Sequence, residues 1–282
     1  MSELEEKNQE HCDSDCSSCG VKDCPGRKAI EILRPHEGTS FQKTIAILSG
    51  KGGVGKSLVS TLLASKMASL GKKVALLDAD VTGPSIPRSF GFGGYEAEGS
   101  SEGIHPAVTK NGIRMMSANL LMDDPTAPIL WRGTLVSSLV SQMYNLVEYG
   151  ECDYLFIDMP PGTGDVPLTV FQQIHIDGAI MVTTPQELVE LVVEKAVNMC
   201  KMMNVPLLGL VENMAYVECP HCGEKIYPFG KGRFEEVAAS YGIEPLDSLP
   251  ITPRLSSLID EGKADEYQGD DLKKAVAAIE NL

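Results

Sequence analysis

The sequence predicts an α/β fold in which a mostly parallel sheet is covered by helices on both faces, preceded by a short cysteine-rich appendage. Three observations predict it. From Thr44 onward, short β-rich apolar runs alternate with helical patterns, the order expected of parallel strands joined by crossover helices. The first run, Thr44-Ile45-Ala46-Ile47-Leu48-Ser49, passes directly into Gly50-Lys51-Gly52-Gly53-Val54-Gly55-Lys56-Ser57 and then into a helical pattern, Leu58–Leu70. Later apolar runs end in aspartate, at Asp78-Ala79-Asp80 and at Asp158.

The elements follow in order. Val74–Leu77 reads as a strand, Leu135–Val147 as a helix and Tyr154–Ile157 as a strand leading into Asp158-Met159-Pro160-Pro161-Gly162-Thr163-Gly164-Asp165. Ala179–Val182 is a strand, Leu188–Met203 a largely buried helix and Leu207–Val211 a further strand. Arg254–Glu261 and Leu272–Leu282 close the chain as helices, and glycine-rich Gly91–Gly103 is expected to be a mobile loop. Three segments result: a cysteine-rich metal-binding segment over 1–27, too polar to form its own core, a linker over 28–43 containing Pro35, Gly38 and Ser40, and a P-loop ATPase domain over 44–282.

At 282 residues and 43% hydrophobic content, the chain can bury a full core. The formal net charge is −15, a field that repels nucleic acid and anionic lipid, so neither is expected as a partner. No run of about twenty apolar residues suggests a membrane span, and the acidic start Met1-Ser2-Glu3-Leu4-Glu5-Glu6 is unlike a signal peptide. A cytoplasmic location is therefore expected. There the eight cysteines point to metal or redox chemistry rather than structural disulfides.

Strand, glycine loop and helix together specify a polyphosphate site. Gly50, Gly52, Gly53 and Gly55, with Val54 between them, let backbone N–H groups approach phosphates with no Cβ in the way. The helix N-terminus adds a favourable dipole. Lys56 reaches the β- and γ-phosphates of ATP in this pattern, and Ser57 ligates Mg²⁺. Asp158 stands where a strand-end aspartate holds that ion. Asp78 or Asp80 is placed to orient an attacking water, although both also suit a turn. Lys51 goes beyond the generic pattern.

Gly50–Ser57, Asp78–Ser85, Asp158–Asp165, Glu212-Asn213-Met214 and Cys219-Pro220-His221-Cys222 together resemble the Mrp/ApbC family of iron–sulfur cluster carrier ATPases. That family belongs to the deviant-Walker group with MinD, ParA and the nitrogenase iron protein. The resemblance spans about residues 41–265. It implies that Lys51 crosses a homodimer interface to the partner's phosphates, the role an arginine finger plays elsewhere, worth roughly 10³–10⁵ in rate. It further implies that Asp80 positions water, that Asp158 is the second switch aspartate and that Asn213 contacts adenine.

Cys219 and Cys222 form a tight pair that cannot alone complete a four-ligand site. A two-fold dimer supplies two more thiols, and the resemblance implies a [4Fe–4S] cluster bridged in this way. A zinc knuckle and a redox dithiol remain alternatives. Cys12, Cys16, Cys19 and Cys24, followed by Pro25, can close one metal site within a short segment. Iron–sulfur and zinc both suit it, and His11 is a possible substitute ligand. Cys152 and Cys200 lie in core-like segments and read as inert thiols.

Two functions follow. One is a carrier that binds ATP, holds a labile cluster between subunits, hydrolyses ATP weakly and delivers the cluster to apo iron–sulfur proteins. The other is a MinD- or ParA-like positioning ATPase without a cluster. The −15 charge and the weakly basic C-terminal helix favour the first.

Overall fold

In the computed structural model of the chain, the residues described are 32–81, 83–122, 133–187 and 190–282. Cys12, Cys16, Cys19 and Cys24 lie outside them, as does the rest of the 1–27 segment.

Among the described residues, nine strands form one sheet: β1 Ser40–Ser49, β2 Val74–Asp78, β3 Ala107–Val108, β4 Arg114–Ser117, β5 Glu151–Asp158, β6 Gly178–Thr183, β7 Leu207–Glu218, β8 Lys225–Ile226 and β9 Pro245–Pro250. Their spatial order is β3-β4-β2-β5-β1-β6-β7-β8, with β9 also beside β7. The pairs β1–β5, β1–β6, β2–β4, β2–β5, β6–β7 and β7–β9 are parallel, whereas β3–β4 and β7–β8 are antiparallel. The central strands are buried on both faces, which is why Ile45–Leu48 and Val74–Leu77 are continuous apolar runs rather than alternating ones.

The helices are α1 Lys56–Ser69, α2 Ile86–Ser89, α3 Gly133–Asn145, α4 Asp165–Gln173, α5 Glu190–Met202, α6 Phe234–Tyr241, α7 Pro253–Asp260 and α8 Lys273–Glu280. α1 inserts Val59, Leu62, Leu63 and Met67 into the main core, and this fixes the loop ahead of it against β1 and β5. Among the described residues, no helix is long and apolar enough to cross a membrane.

Three features depart from the sequence expectations. β1 begins at Ser40, inside the expected linker, because Ser40 and Phe41 pair with Glu151 and Cys152 of β5 and the Phe41 ring meets Tyr149 edge-on at 5.6 Å. The glycine-rich Gly91–Gly103 segment is pinned by backbone hydrogen bonds, from Ala97 N–H to Leu120 O at 2.6 Å and from Ser100 N–H to Gly103 O at 2.8 Å. The strand expected over 207–211 continues through Glu212-Asn213-Met214 to Glu218, so one strand joins the glycine loop to the Cys219–Cys222 turn.

Candidate functional site

The parallel register brings the predicted residues to one edge of the sheet. Ile47 is opposite Asp158, and Asp78 is opposite Asp158 on the other side, so β1, β2 and β5 end together. Gly53 and Gly55 turn the loop with φ of 84° and 82°, angles that side chains with a Cβ rarely adopt. Gly55 is the N-cap of α1; no side chain caps that end and no acidic residue occupies its first turn. The helix thus presents its orphan N–H groups and positive dipole end to a cavity of about 540 Å³ lined by Lys51, Lys56, Asp80, Arg88, Pro161 and Met214 among others.

Lys56 is buried beneath the loop, with Nζ 2.9 Å from Asp158 Oδ1 and 3.8 Å from Asp80 Oδ2. The Asp158 contact is electrostatic and not an aligned hydrogen bond, so the buried ammonium has donors without a hydrogen-bond acceptor. Asp158 is fully buried and accepts hydrogen bonds from Ser57 Oγ and Ser60 Oγ, each at 2.6 Å. An uncapped helix end beside such a lysine fits a polyphosphate. The Ser57 hydroxyl and Asp158 carboxylate are hard oxygen donors that fit Mg²⁺.

Asp78 is also fully buried and does not line the cavity. Its Oδ2 accepts from Ser117 Oγ at 3.0 Å and its Oδ1 from the Asp80 backbone N–H at 3.2 Å. Burial, then the Asp158 charge, pushes its carboxyl well above the usual range, against the lowering effect of Lys56. Asp78 therefore holds Asp80 from behind, while Asp80 faces the cavity. The loop after β5 approaches from the other side: Gly162 N–H donates to Ser49 O at 2.8 Å.

Asn213 is placed behind the loop. It is buried, and its Nδ2 donates to Val54 O at 2.9 Å. It is the following residue, Met214, that lines the cavity, and it does so with φ of 56°, a left-handed conformation costing of order 1–3 kcal/mol away from glycine.

β7 then leads to the thiols. Val217 and Glu218 pair with Ile226 and Lys225 of β8, and the turn is closed by Cys219 N–H to Glu224 O and Gly223 N–H to Cys219 O, both 2.9 Å. The Lys225 ammonium lies 3.9 Å from the Tyr216 ring centroid and braces the hairpin base. Cys219 is half-buried and Cys222 exposed. The backbone N–H of His221, then that of Cys222, then the Cys222 thiol, hydrogen-bond the Cys219 sulfur and lower its pKa, which favours the metal-binding thiolate. Among the described residues, no three His, Cys, Asp or Glu side chains converge as a metal site. Cys152 and Cys200 are buried, and burial pushes both thiols up, Cys200 to about 11.

Sequence reasoning missed Ser60, Ser117 and Met214. Ser60 had a legible signal, one helical turn after Lys56 and so on the same face of α1. Ser117 is reached only by the β2–β4 pairing.

Residues 40–282 match the ParA family profile described as NUBPL iron-transfer P-loop NTPase. The chain belongs to that family. An iron-sulfur cluster carrier protein of Methanocaldococcus jannaschii is 43% identical over 89% of this chain and 89% of its own length. One of Clostridium perfringens is 42% identical over 89% of this chain and 94% of its own. A nucleotide-binding protein of Archaeoglobus fulgidus, solved in complex with ADP and with cobalt found by PIXE, is 46% identical with a TM-score of 0.73, covering 82% of this chain and 90% of that one. The cell division ATPase MinD of Pyrococcus furiosus, at 19% identity, a TM-score of 0.61, and coverage of 86% and 99%, shares the P-loop fold.

Proposed function

We propose that the chain is an ATP-dependent iron–sulfur cluster carrier that works as a homodimer in the cytoplasm, without nucleic acid or membrane. The observation that carries this reading is β7, which contacts the glycine loop through Asn213 and ends at Glu218, immediately before Cys219. Six residue steps along the strand separate Asn213 from Cys219, at about 3.3 Å each roughly 20 Å at most.

Gly50, Gly52, Gly53, Val54 and Gly55 cradle the phosphates, and Lys56 exchanges its contact with Asp158 for the β- and γ-oxygens. Ser57 and Asp158 hold Mg²⁺, which neutralises phosphate charge when bound. Asp80 orients a water, whose oxygen bonds to the γ-phosphorus as the bond to the β,γ-bridging oxygen breaks. The products are ADP, phosphate and a proton. Lys51 reaches the partner subunit's phosphates and stabilises the charge that develops there. Asn213 turns toward adenine when the nucleotide enters.

The cargo is a [4Fe–4S] cluster held by Cys219 and Cys222 from each subunit and passed to apo-proteins. The lowered Cys219 thiol supports thiolate ligation. Cys12, Cys16, Cys19 and Cys24 form a separate metal-binding segment, for iron–sulfur or zinc, ahead of the ATPase domain. The test is anaerobic reconstitution with iron and sulfide. The broad visible absorption should lose a defined part in Cys222→Ala, and identical spectra for variant and wild type would sink the bridging assignment.

A further inference from the structure

The segment that joins the two sites is irregular. The β6–β7 ladder ends at the Thr183–Glu212 pair, and the β7–β9 register slips between Glu212 and Tyr216. Pairing resumes beyond the slip, at Tyr216 with Pro250 and at Val217 and Glu218 with β8. Asn213, Met214 and Ala215 therefore lie between two well-tied lengths of strand. Within that gap Met214 has φ of 56° and lines the nucleotide cavity.

The loop and this gap are in close contact. Asn213 Nδ2 donates to Val54 O at 2.9 Å, and a Cβ on Gly55 would fall 2.0 Å from the same nitrogen. The loop cannot change shape around a phosphate without either moving Asn213 or breaking that hydrogen bond. A non-glycine residue in the left-handed region has a lower-energy alternative in the extended region. Such a change at Met214 would redirect the strand that carries Cys219, because the hairpin beyond it moves as a braced unit through Lys225 and Tyr216.

We propose that Asn213 and Met214 couple the two sites: Asn213 ties β7 to the loop through Val54, and Met214 is the hinge on which the Cys219–Cys222 turn moves when nucleotide fills the cavity. This rests on the carrier reading above, since it needs a metal-binding thiol pair. Both residues are positioning residues for the thiols. Coupling of this kind is reciprocal: if nucleotide changes metal affinity by some factor, metal changes nucleotide affinity by the same factor.

The experiment uses the full chain and Co²⁺ alone as the metal probe, titrated anaerobically with and without saturating ADP. The thiolate-to-cobalt absorption that disappears in Cys222→Ala isolates this site from the N-terminal cysteines. In wild type, ADP is expected to shift the Co²⁺ midpoint by about 5–150-fold, and Co²⁺ should shift ADP affinity equally. Met214→Gly, which accepts the left-handed angle at no cost, and Asn213→Ala should each reduce both shifts to under about twofold while still giving the Cys222-dependent signal. Met214→Gly remains informative if Asn213→Ala does not fold. A wild type with no shift, or variants with the full shift, would overturn the coupling. A cobalt signal unaffected by Cys222→Ala would overturn the cargo site itself, and the coupling with it.

Discussion

Asp78 and Asp158 stand side by side at the carboxyl ends of β2 and β5, both fully buried, and the Lys56 ammonium contacts Asp158 at 2.9 Å. Two neighbouring buried carboxyls do not both ionise cheaply, and Asp78 is the one pushed upward, by burial first and by Asp158 second. The division suits their partners. Asp158 takes two hydroxyl donors and the lysine, whereas Asp78 has Ser117 and the Asp80 amide.

A pH dependence follows. A carboxyl whose folded pKa lies above its unfolded value stabilises the fold fully below the unfolded pKa, and this contribution is lost as pH rises through the folded one. Asp78 therefore makes the protein less stable from the ordinary aspartate range upward. Asp78→Asn keeps a neutral group of the same shape, accepting from Asp80 N–H and donating to Ser117. Its melting temperature should match wild type at about pH 4 and below and exceed it increasingly as pH rises above the ordinary aspartate range. Parallel stability curves for the two proteins across this range would contradict the assignment.

Gly55 is constrained twice, by φ of 82° and by Asn213 Nδ2 at 2.0 Å from its added Cβ. Gly55→Ala is expected to cost about 1–3 kcal/mol from overpacking and about 1–2 kcal/mol from the left-handed backbone. ADP affinity should fall as well, because the added methyl distorts a loop that lines the nucleotide cavity. Thermal melting and calorimetric ADP titration check both. A variant with wild-type values in each would show that the loop and β7 are not in tight contact.

Lys51 lies at the mouth of the cavity and is exposed, whereas Lys56 is buried beneath the loop. In the proposed homodimer, this exposed lysine at the mouth is the one that would serve the second subunit. Lys51→Ala should keep ADP affinity within about threefold and lower ATP turnover by roughly 10³-fold, the low end for a charge supplied across an interface. Lys56→Ala should lose affinity and turnover together. Normal turnover in Lys51→Ala would return the loop to an ordinary phosphate cradle.

The sequence made the parallel core legible because buried strands in such a sheet are continuous apolar runs, and Ile45–Leu48 and Leu155–Ile157 are of this kind. The loop glycines, Lys56, Ser57 and Asp158 were legible because their spacing is set by phosphate geometry. The length of β7 was not legible. Glu212 and Asn213 are polar, and a polar pair after Val211 reads as a strand end, yet both are buried at 6% and 2% exposure. Asn213 is tolerated there because its amide has an acceptor in Val54. Ser117 was hidden for a different reason: its partner Asp78 is 39 residues away, and only strand pairing brings them together.

The two thiols of the turn should differ in reactivity. Cys219 sulfur accepts hydrogen bonds from the His221 and Cys222 amides and from the Cys222 thiol, and these lower its pKa. Alkylation proceeds through the thiolate. In metal-free protein, the iodoacetamide rate at Cys219 should therefore reach half its maximum below the range of an ordinary thiol, near 8.5. Cys222→Ala removes one of the three donors and leaves both amides, so it should move this midpoint upward only in part. Gly223→Ala is a stricter test of the turn: Gly223 has φ of 72°, and straining it loosens the backbone that aims the two amides at the sulfur. Its midpoint should rise further than that of Cys222→Ala. Quantifying the alkylated Cys219 peptide by mass spectrometry across pH 5–10 measures all three proteins. A wild-type midpoint at or above the ordinary thiol value would show that the turn does not prepare Cys219 for a metal.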